Sequence, residues 1–285
     1  MSGPDIPPGT DLAALEAVAC EVARLAGRLV VEERPADLGV AAKSTRTDVV
    51  TEMDQRSQEL LLAELGARRP DDAVLGEEEG GRTGTSGITW VVDPIDGTVN
   101  YLYGIAQFSV SVAAVVGDVS VPGAWRPVAG AVLEPVGGEL FHAHLGGGAR
   151  LTGPDGERPL RASSATDLGL ALVGTGFGYD RDVRARQARA LVELIREVRD
   201  IRRAGSAALD LCSVGAGRLD AYYETGLNPW DRAAGELVAT EAGALVGGPE
   251  GDGPTAGLTW AAAPGIAGPF AVLVRRLTSE HVTRN

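Results

Sequence analysis

Cysteine, histidine and aromatic residues are scarce in this chain of 285 residues, which has two cysteines, three histidines and only 5% aromatic residues. Cys20 and Cys212 both lie among helix-forming residues, so the sequence predicts no disulfide framework and favours a reducing compartment. No apolar run reaches about 18 residues, and the first ten residues lack the basic and apolar segments of a signal peptide. We therefore expect a cytoplasmic protein that does not enter a membrane.

Positive charge is also in short supply. The chain has 26 lysine and arginine residues against 39 aspartate and glutamate residues, and its formal net charge is −13. Binding to a nucleic-acid backbone depends on clustered lysine and arginine, so we expect no nucleic-acid partner. An acidic protein can still bind a phosphate group if it recruits metal cations. The hydrophobic content of 44% and charged content of 23% are typical of a globular protein.

The hydrophobic pattern divides the chain into two parts. An amphipathic helix from about Leu12 to Leu29, a second helix with Asp54 as its N-cap, and several strands predict an antiparallel sheet flanked by two helices. Beyond about residue 165, strands and helices alternate, which indicates an α/β layer. We predict a flexible N-terminus over residues 1–10, an N-terminal α+β subdomain over 11–155 and a C-terminal α/β subdomain over 156–285.

The segment "WVVDPIDGTVNY" ends an apolar run with two carboxylates three residues apart. Pro94 fixes the backbone between Asp93 and Asp96, and the carbonyl of Ile95 lies between them. Two carboxylates this close resist joint ionisation unless a cation neutralises them, and carboxylate and carbonyl oxygens are the ligands that Mg²⁺ prefers. The hydroxyl of Thr98 is placed to orient a water molecule. A solvated turn is the alternative, since aspartate, proline and glycine are all turn residues.

Three further segments carry acids that could join this pair. They are "LGEEEG", which contains Glu77; "LNPWDRAAGELVATEAGA", which contains Asp231; and "KSTRTDVVTEMD", which contains Asp48. Each has an ordinary explanation, as a solvated loop, as a favourable acid in the first turn of a helix, and as a charged loop before a helix. Their joint occurrence in this order points to a metal-dependent site.

With these four segments the chain resembles the inositol monophosphatase family of Mg²⁺-dependent, lithium-sensitive phosphatases. "WVVDPIDGTVNY" and "WDRAAGELVATEAGA" fit the two signatures of that family, and the similarity runs from about Leu12 to the C-terminal helix. The segments "GTGFGYD", "DIRRAGSAALDLC" and "GRLDAYYE" are similar to those of the bacterial inositol-1-monophosphatases in particular. The resemblance implies a layered αβαβα sugar-phosphatase fold, two or three Mg²⁺ ions and a homodimer.

The resemblance also implies a role for individual residues. Metal ligands would be Glu77, Asp93, the carbonyl of Ile95, Asp96 and Asp231. The residues that support catalysis would be Glu77 and a pair that holds the attacking water, Thr98 and Asp48. Contacts to substrate would come from the backbone of Gly97 and Thr98 at the phosphate, with Gly205, Ser206, Ala207, Glu224 and Asp231 at the ring.

The implied reaction is hydrolysis of a phosphate monoester of a polyol, with inositol 1-phosphate as first choice, by a metal-activated water attacking in line. The same chemistry on fructose 1,6-bisphosphate or histidinol phosphate stays open, as does a role as an interaction protein of a transcription complex. Arg232 and Asn228 depart from the family pattern and leave the substrate undecided. A dinucleotide loop at "GTGFG" is disfavoured, because the full G-x-G-x-x-G pattern is absent.

His142 and His144 lie two residues apart on a predicted strand, so their side chains share one face. The implied hydrolysis needs no histidine nucleophile. We interpret both as structural or surface residues.

Overall fold

A computed structural model describes residues 3–38, 41–43, 49–249 and 253–280. The N-terminal part contains α1 (Leu12–Glu32), β1 (Ala41–Ala42), β2 (Val49–Val50), α2 (Glu52–Arg68), β3 (Ala73–Gly76), β4 (Ile88–Asp96), α3 (Thr98–Tyr103), β5 (Ser109–Gly117), β6 (Trp125–Glu134), β7 (Glu139–His144), β8 (Gly148–Gly153) and β9 (Gly156–Pro159). The C-terminal part contains β10 (Leu172–Thr175), α4 (Arg181–Leu194), β11 (Asp200–Arg202), α5 (Ala207–Gly215), β12 (Ala221–Glu224), α6 (Pro229–Glu241), β13 (Leu245–Gly247), β14 (Thr259–Ala262) and α7 (Ala267–Glu280).

The larger sheet has seven strands in the order β3-β4-β5-β6-β7-β8-β9. Only the β3–β4 pair is parallel; the other neighbours are antiparallel, as the strand pattern predicted. Side chains alternate between the two faces along each strand. Trp90 and Val92 of β4 pack with α1 and α2, whereas Val91 packs with α5 and α6 on the opposite face. Both faces are therefore covered by helices.

The smaller sheet has five strands in the order β11-β10-β12-β14-β13. β10 runs parallel to β11 and β12, while β14 is antiparallel to β12 and β13. Tyr222 of β12 packs on the α5 and α6 side, and Tyr223 packs on the α4 and α7 side. Helices and sheets thus alternate in five layers, with α5 and α6 between the two sheets, and the predicted αβαβα fold is confirmed.

The two central helices, α5 and α6, pack against each other at Gly235, where a small residue is required. A Cβ atom added at Gly235 of α6 would lie 2.8 Å from Cβ of Leu211 and 3.0 Å from the carbonyl oxygen of Ala208, both on α5. A larger residue at this position would push the two helices apart. The close packing fixes α6, which carries Asp231 in its first turn, relative to α5.

The observed elements differ from the sequence prediction in small but informative ways. The N-cap of α2 is Thr51, not Asp54 as predicted; Asp54 is the third helical residue, and it completes a capping box with Thr51. Strands of the larger sheet continue to Pro159, beyond the predicted boundary at residue 155. The division into two subdomains stays a prediction.

Cys20 and Cys212 are both buried free cysteines. No helix in the described part of the chain is both long enough and apolar enough to cross a membrane.

Candidate active site

β4 delivers two carboxylates to one end of the larger sheet. Its apolar run is buried on both faces, and its pairing with β5 shifts register between Asp93, opposite Ser111, and Asp96, opposite Ser109. The extra residue of this bulge falls at the segment that contains Pro94, which has no N–H to donate to the ladder. The irregular strand end re-aims both carboxylates, and both are buried.

The N-terminus of α6 brings a third carboxylate to the same place. Asn228 is the N-cap and Pro229 is the first helical residue, an arrangement that starts a helix sharply. The carboxylate of Asp231 accepts a hydrogen bond from the backbone N–H of Asn228 at 2.6 Å. Oxygen atoms of Asp93, Asp96 and Asp231 all lie within 4.8 Å of one another. We call these three residues the acidic triad.

Glu77 follows β3 and lines the same cleft as Asp96 and Asp231. Its backbone N–H donates to the carbonyl of Val92 at 3.2 Å, which holds Glu77 beside the end of β4. Nζ of Lys43 lies 2.8 Å from the Glu77 carboxylate and also pairs with Glu78. Burial raises the pKa of Glu77, and the Lys43 ammonium opposes that rise. Glu77, Asp96 and Asp231 therefore line one cleft, and Asp93 lies beside Asp96 and Asp231.

The electrostatics of the acidic triad favour a bound cation. Burial raises the pKa of Asp93 and of Asp231 well above the ordinary aspartate value, and the neighbouring carboxylates raise both further. Burial also raises the pKa of Asp96, although hydrogen bonds from Ser206 and Ala208 oppose it. A divalent cation would remove this repulsion. Because every donor is an oxygen atom, the residues fit a hard ion such as Mg²⁺.

Thr98, at the start of α3, contacts a carboxylate that the sequence analysis did not select. Its hydroxyl oxygen lies 3.1 Å from Oδ1 of Asp54 and 3.1 Å from the carbonyl oxygen of Ile95. Oδ2 of Asp54 accepts hydrogen bonds from the N–H and hydroxyl of Thr51, at 2.8 and 2.6 Å. Burial raises the pKa of Asp54 to about 6. Asp48, the predicted partner of Thr98, lies outside the described residues.

Gly97 links the end of β4 to α3 and must be glycine. Its φ of +98° lies in the left-handed region. A Cβ atom there would lie 3.0 Å from the carbonyl oxygen of Gly205 and 3.1 Å from that of Gln107. Gly97 and Gly205 both line the cleft, so the backbone is exposed to a ligand at this point.

The predicted contacts to a substrate ring separate into two groups. Ala207 and Glu224 line the cleft, as Gly205 does. Ser206 instead is 1% exposed, and its hydroxyl donates to Oδ2 of Asp96 at 2.6 Å. The N–H of Ala208 donates to the same oxygen at 2.8 Å, so the N-terminus of α5 orients Asp96. Ser206 therefore positions an acidic triad residue and does not face the cleft.

Glu224 ends β12 and faces the cleft from the smaller sheet. The hydroxyl of Tyr222 donates to its Oε2 at 2.6 Å, and burial raises the pKa of the Glu224 carboxyl to about 7. Arg203 and Asn228 also line the cleft, which has a volume of about 280 Å³. Arg203 was not predicted from the sequence, because its position after a short strand gave no signal of its own.

Arg232 turns away from the cleft. It pairs with Glu236 one helical turn later, and its guanidinium lies 4.6 Å from the ring centre of Trp125. It is buried in this setting. Its ion-pair partner therefore lies within α6.

The fold and the cleft together define the class of protein. Five alternating layers, with an oxygen-only acidic cluster where the two sheets meet, are the architecture of metal-dependent sugar phosphatases. The chain belongs to the inositol monophosphatase family, whose family model matches residues 11–283. The resemblance derived from the two signature segments is thus confirmed.

Individual relatives agree with this placement. The chain is 47% identical to the inositol-1-monophosphatase of Mycobacterium leprae, over 97% of each chain. It is 40% identical to Nus factor SuhB of Pasteurella multocida, over 80% of this chain and 83% of that protein. The solved structure of Mycobacterium tuberculosis SuhB is 42% identical, with a TM-score of 0.79 over 94% of this chain and 98% of that chain.

Proposed function

We propose that this protein hydrolyses the phosphate monoester of a polyol, with inositol 1-phosphate as the preferred substrate, and releases inositol and inorganic phosphate. The observation that carries the proposal is the convergence of Asp93, Asp96 and Asp231 within 4.8 Å, beside the cleft that Asp96 and Asp231 line. These three carboxylates have raised pKa values and repel one another when ionised, unless cations neutralise them. The inositol-1-monophosphatase of Mycobacterium leprae supports the choice of substrate.

The proposed cations are Mg²⁺, two or three in number, held by Glu77, Asp93, the carbonyl of Ile95, Asp96 and Asp231. When bound, Mg²⁺ lowers the pKa of a coordinated water and neutralises charge on the phosphate ester. The family resemblance also supports sensitivity to lithium.

Thr98 and Asp54 are proposed to orient the attacking water. The Thr98 hydroxyl donates its proton to Oδ1 of Asp54 or to the carbonyl of Ile95, both 3.1 Å away. Its oxygen then has lone pairs free to accept a hydrogen bond from the water, which aims that molecule at the phosphorus. Asp54 replaces Asp48 in this proposal because its carboxylate is the one in contact with Thr98. The role predicted for Asp48 stays a prediction.

Substrate binding is assigned to the residues that line the cleft. The backbone N–H groups of Gly97 and Thr98 are proposed to meet the phosphate oxygens. Gly205, Ala207 and Glu224 are proposed to meet the ring, where a Glu224 carboxylate accepts hydrogen bonds from ring hydroxyls. Ser206 acts indirectly, through its hydrogen bond to Asp96.

A second candidate function is favoured by relatives that are named Nus factor SuhB. Because Nus factor SuhB of Pasteurella multocida is 40% identical to this chain, a role in a transcription complex is the alternative. The net charge of −13 disfavours direct binding to RNA. From the family resemblance we further propose a homodimer, and from the sequence we propose a cytoplasmic location.

An assay of metal-free protein on a panel of esters separates these functions. Phosphate release is measured with and without Mg²⁺, and with added Li⁺, on inositol 1-phosphate, fructose 1,6-bisphosphate, histidinol phosphate and 3′-phosphoadenosine 5′-phosphate. We expect the highest kcat/KM on inositol 1-phosphate, with strict dependence on Mg²⁺. A higher kcat/KM on another ester would reassign the substrate. Folded protein that releases phosphate from none of them would overturn the hydrolase and favour the interaction role.

A further inference from the structure

Two chain segments form the side of the cleft that carries Glu224. Residues 176–180 follow β10, and residues 224–228 begin at the last residue of β12; all ten residues line the cleft. β10 and β12 are parallel neighbours, and their pairing ends at Thr175 opposite Tyr223. Beyond that pair, the strand ladder no longer sets the distance between the two segments. We call the two segments together the Glu224 wall.

The position of Glu224 depends on the distance between these segments. A Cβ atom added at Gly176 would lie 1.9 Å from Oε2 and 2.3 Å from Oε1 of Glu224. The Glu224 carboxylate therefore packs directly on the backbone of residues 176–180, and glycine is what allows this close approach. If the two segments moved apart, the carboxylate would lose the surface against which it rests.

One side chain of α4 joins the two segments. Oε1 of Gln187 accepts a hydrogen bond from the backbone N–H of Gly178 at 2.9 Å. Nε2 of Gln187 donates to the hydroxyl oxygen of Thr225 at 2.9 Å, and the carbonyl oxygen of Thr225 lies 3.4 Å from the same nitrogen. A backbone N–H can only donate, so the amide oxygen faces Gly178 and the amide nitrogen faces Thr225. The amide thus supplies both the acceptor and the donor that these neighbours need.

A cavity behind the Glu224 wall leaves it room to move. The cavity has a volume of about 190 Å³, and Gln187 lies in its lining. Gly176, Glu224 and Thr225 line both this cavity and the cleft, so the wall is thin at these residues. Close packing holds most buried residues in place, but here part of the far side of the wall is unpacked. The hydrogen bonds of Gln187 therefore help to hold the wall in position.

We propose that Gln187 is a positioning residue for the polyol part of the substrate: it ties residues 176–180 to residues 224–228 and so fixes Glu224 for contact with the ring hydroxyls. The proposal rests on the hydrolysis proposed above and deepens it. Gln187 is not among the described residues that line the cleft, and it acts through Gly178 and Thr225. The acidic triad and Thr98 lie on other elements. Loss of the Gln187 contacts should therefore weaken binding of the polyol and leave the chemical step nearly unchanged.

Steady-state kinetics of Gln187→Leu test the positioning role. Leucine removes both hydrogen bonds and keeps a side chain of similar bulk. The substrate is the ester that the wild type hydrolyses with the highest kcat/KM. We expect KM to rise by about 5- to 20-fold while kcat stays within about 3-fold of the wild type. The inhibition constant of inorganic phosphate, which has no ring, should stay within about 2-fold.

Arg189→Ala is the matched control. Arg189 is exposed and lies two residues after Gln187 on the same helix. We expect this variant to keep the KM, the kcat and the phosphate inhibition constant of the wild type. Melting temperatures of all variants check folding, and should Gln187→Leu fail to fold, Gln187→Ala is judged by the same criteria.

Hydrogen exchange at the Gly178 amide tests the contact without any substrate. Because Gln187 accepts the hydrogen bond of this N–H, its exchange, followed by NMR, should be at least about 10-fold faster in Gln187→Leu. Arg189→Ala should exchange as the wild type does. Equal exchange in the wild type and in Gln187→Leu would overturn the proposal, because Gln187 would then not hold the wall.

The kinetic outcomes separate this proposal from the hydrolysis on which it rests. If the wild type releases phosphate from no ester, the hydrolase proposal fails and the positioning role fails with it. If the wild type is active but Gln187→Leu keeps its KM despite faster exchange at Gly178, only the positioning role is overturned. A fall in kcat together with an equal rise in KM and in the phosphate inhibition constant would also overturn it, since the whole cleft would then be disturbed.

Discussion

The hydroxyl oxygen of Thr98 lies 3.1 Å from Oδ1 of Asp54. This contact connects the start of α3 to the first turn of α2. This contact places a buried carboxylate behind the hydroxyl that is proposed to aim the water. Thr98→Ala and Asp54→Asn should each lower kcat by about 10²–10⁴-fold with a much smaller change in KM. The double variant should be little worse than either single variant, because the two groups act as one unit. Steady-state assays with inositol 1-phosphate check both statements.

Asp48→Asn is the matched control for that pair. Since the contact to Thr98 is made by Asp54, we expect Asp48→Asn to keep kcat within a few-fold of the wild type. Asp54 also caps α2 through Thr51, so the melting temperature of Asp54→Asn is measured alongside. Full activity in folded Asp54→Asn, together with loss in Asp48→Asn, would support the role that the sequence predicted for Asp48.

The carboxyl of Glu224 should make substrate binding depend on pH. Burial raises its pKa to about 7, so it is protonated below that pH and a carboxylate above it. A carboxylate accepts stronger hydrogen bonds from ring hydroxyls, and KM for inositol 1-phosphate should therefore fall as pH rises from about 6 to about 8. Glu224→Gln should raise KM at the upper end of that range by about 10- to 100-fold. The ratio of variant to wild-type KM across this range isolates the contribution of Glu224.

Tyr222→Phe supplies the directional test of that titration. The Tyr222 hydroxyl donates to Glu224 at 2.6 Å and favours its carboxylate form. Removing this donor should move the fall in KM to higher pH. The KM of the wild type and the KM of Tyr222→Phe are each divided by the KM of Glu224→Gln. If both ratios are constant across this pH range, Glu224 does not contact the substrate ring.

The buried pair of Arg232 and Glu236 should matter for stability. Glu236→Ala leaves the Arg232 guanidinium buried against Trp125 without its carboxylate, and should lower the free energy of unfolding by about 3–5 kcal/mol. Replacing both partners, as Arg232→Met with Glu236→Leu, should recover most of that loss. Urea denaturation gives the free energy of unfolding of the wild type, of Glu236→Ala and of the double variant.

An exposed ion pair provides the comparison. Arg276 and Glu193 lie 3.3 Å apart with side chains 46% and 41% exposed, so Glu193→Ala should cost no more than about 1 kcal/mol. If Glu236→Ala is as mild as Glu193→Ala, the Arg232 pair is not the buried contact described above.

The sequence predicted the acidic triad because each of its residues lies in a recognisable local sequence pattern. Asp93 and Asp96 stand on either side of a proline at the end of an apolar strand, and Asp231 lies in the first turn of a helix that Asn228 and Pro229 begin. The end of β4 and the start of α6 lie next to each other in the fold, so the local sequence pattern and the family signatures both pointed to the same three residues. The five-layer fold followed from the same alternation of strands and helices.

Other residues could not be placed because their direction depends on tertiary packing. The sequence predicts Asp54 to be a helix cap, and only the fold shows that its Oδ1 contacts the Thr98 hydroxyl. Ser206 sits beside cleft residues along the chain, yet as N-cap of α5 its hydroxyl turns to Asp96. Arg232 follows Asp231 directly, but successive helical residues differ by about 100° around the axis, which points Arg232 at Trp125.

The same reason hid the contacts of His142 and His144 with Glu16. The two-residue spacing of His142 and His144 showed that they share a face, but not that Glu16 lies above that face. The interpretation as structural or surface residues was correct as to His142 being held in the fold. It did not include the Glu16 carboxylate, which both histidines contact.

The central claim is that the acidic triad holds the cations that hydrolysis requires, and the most direct measurement is Mg²⁺-dependent phosphate release from inositol 1-phosphate by Asp93→Asn. Wild-type protein stripped of metal should be inactive and should recover on addition of Mg²⁺. Folded Asp93→Asn should stay lower by on the order of 10²–10³-fold at any Mg²⁺ concentration tested. Wild-type turnover in Asp93→Asn, at the same Mg²⁺ concentration, would contradict the account.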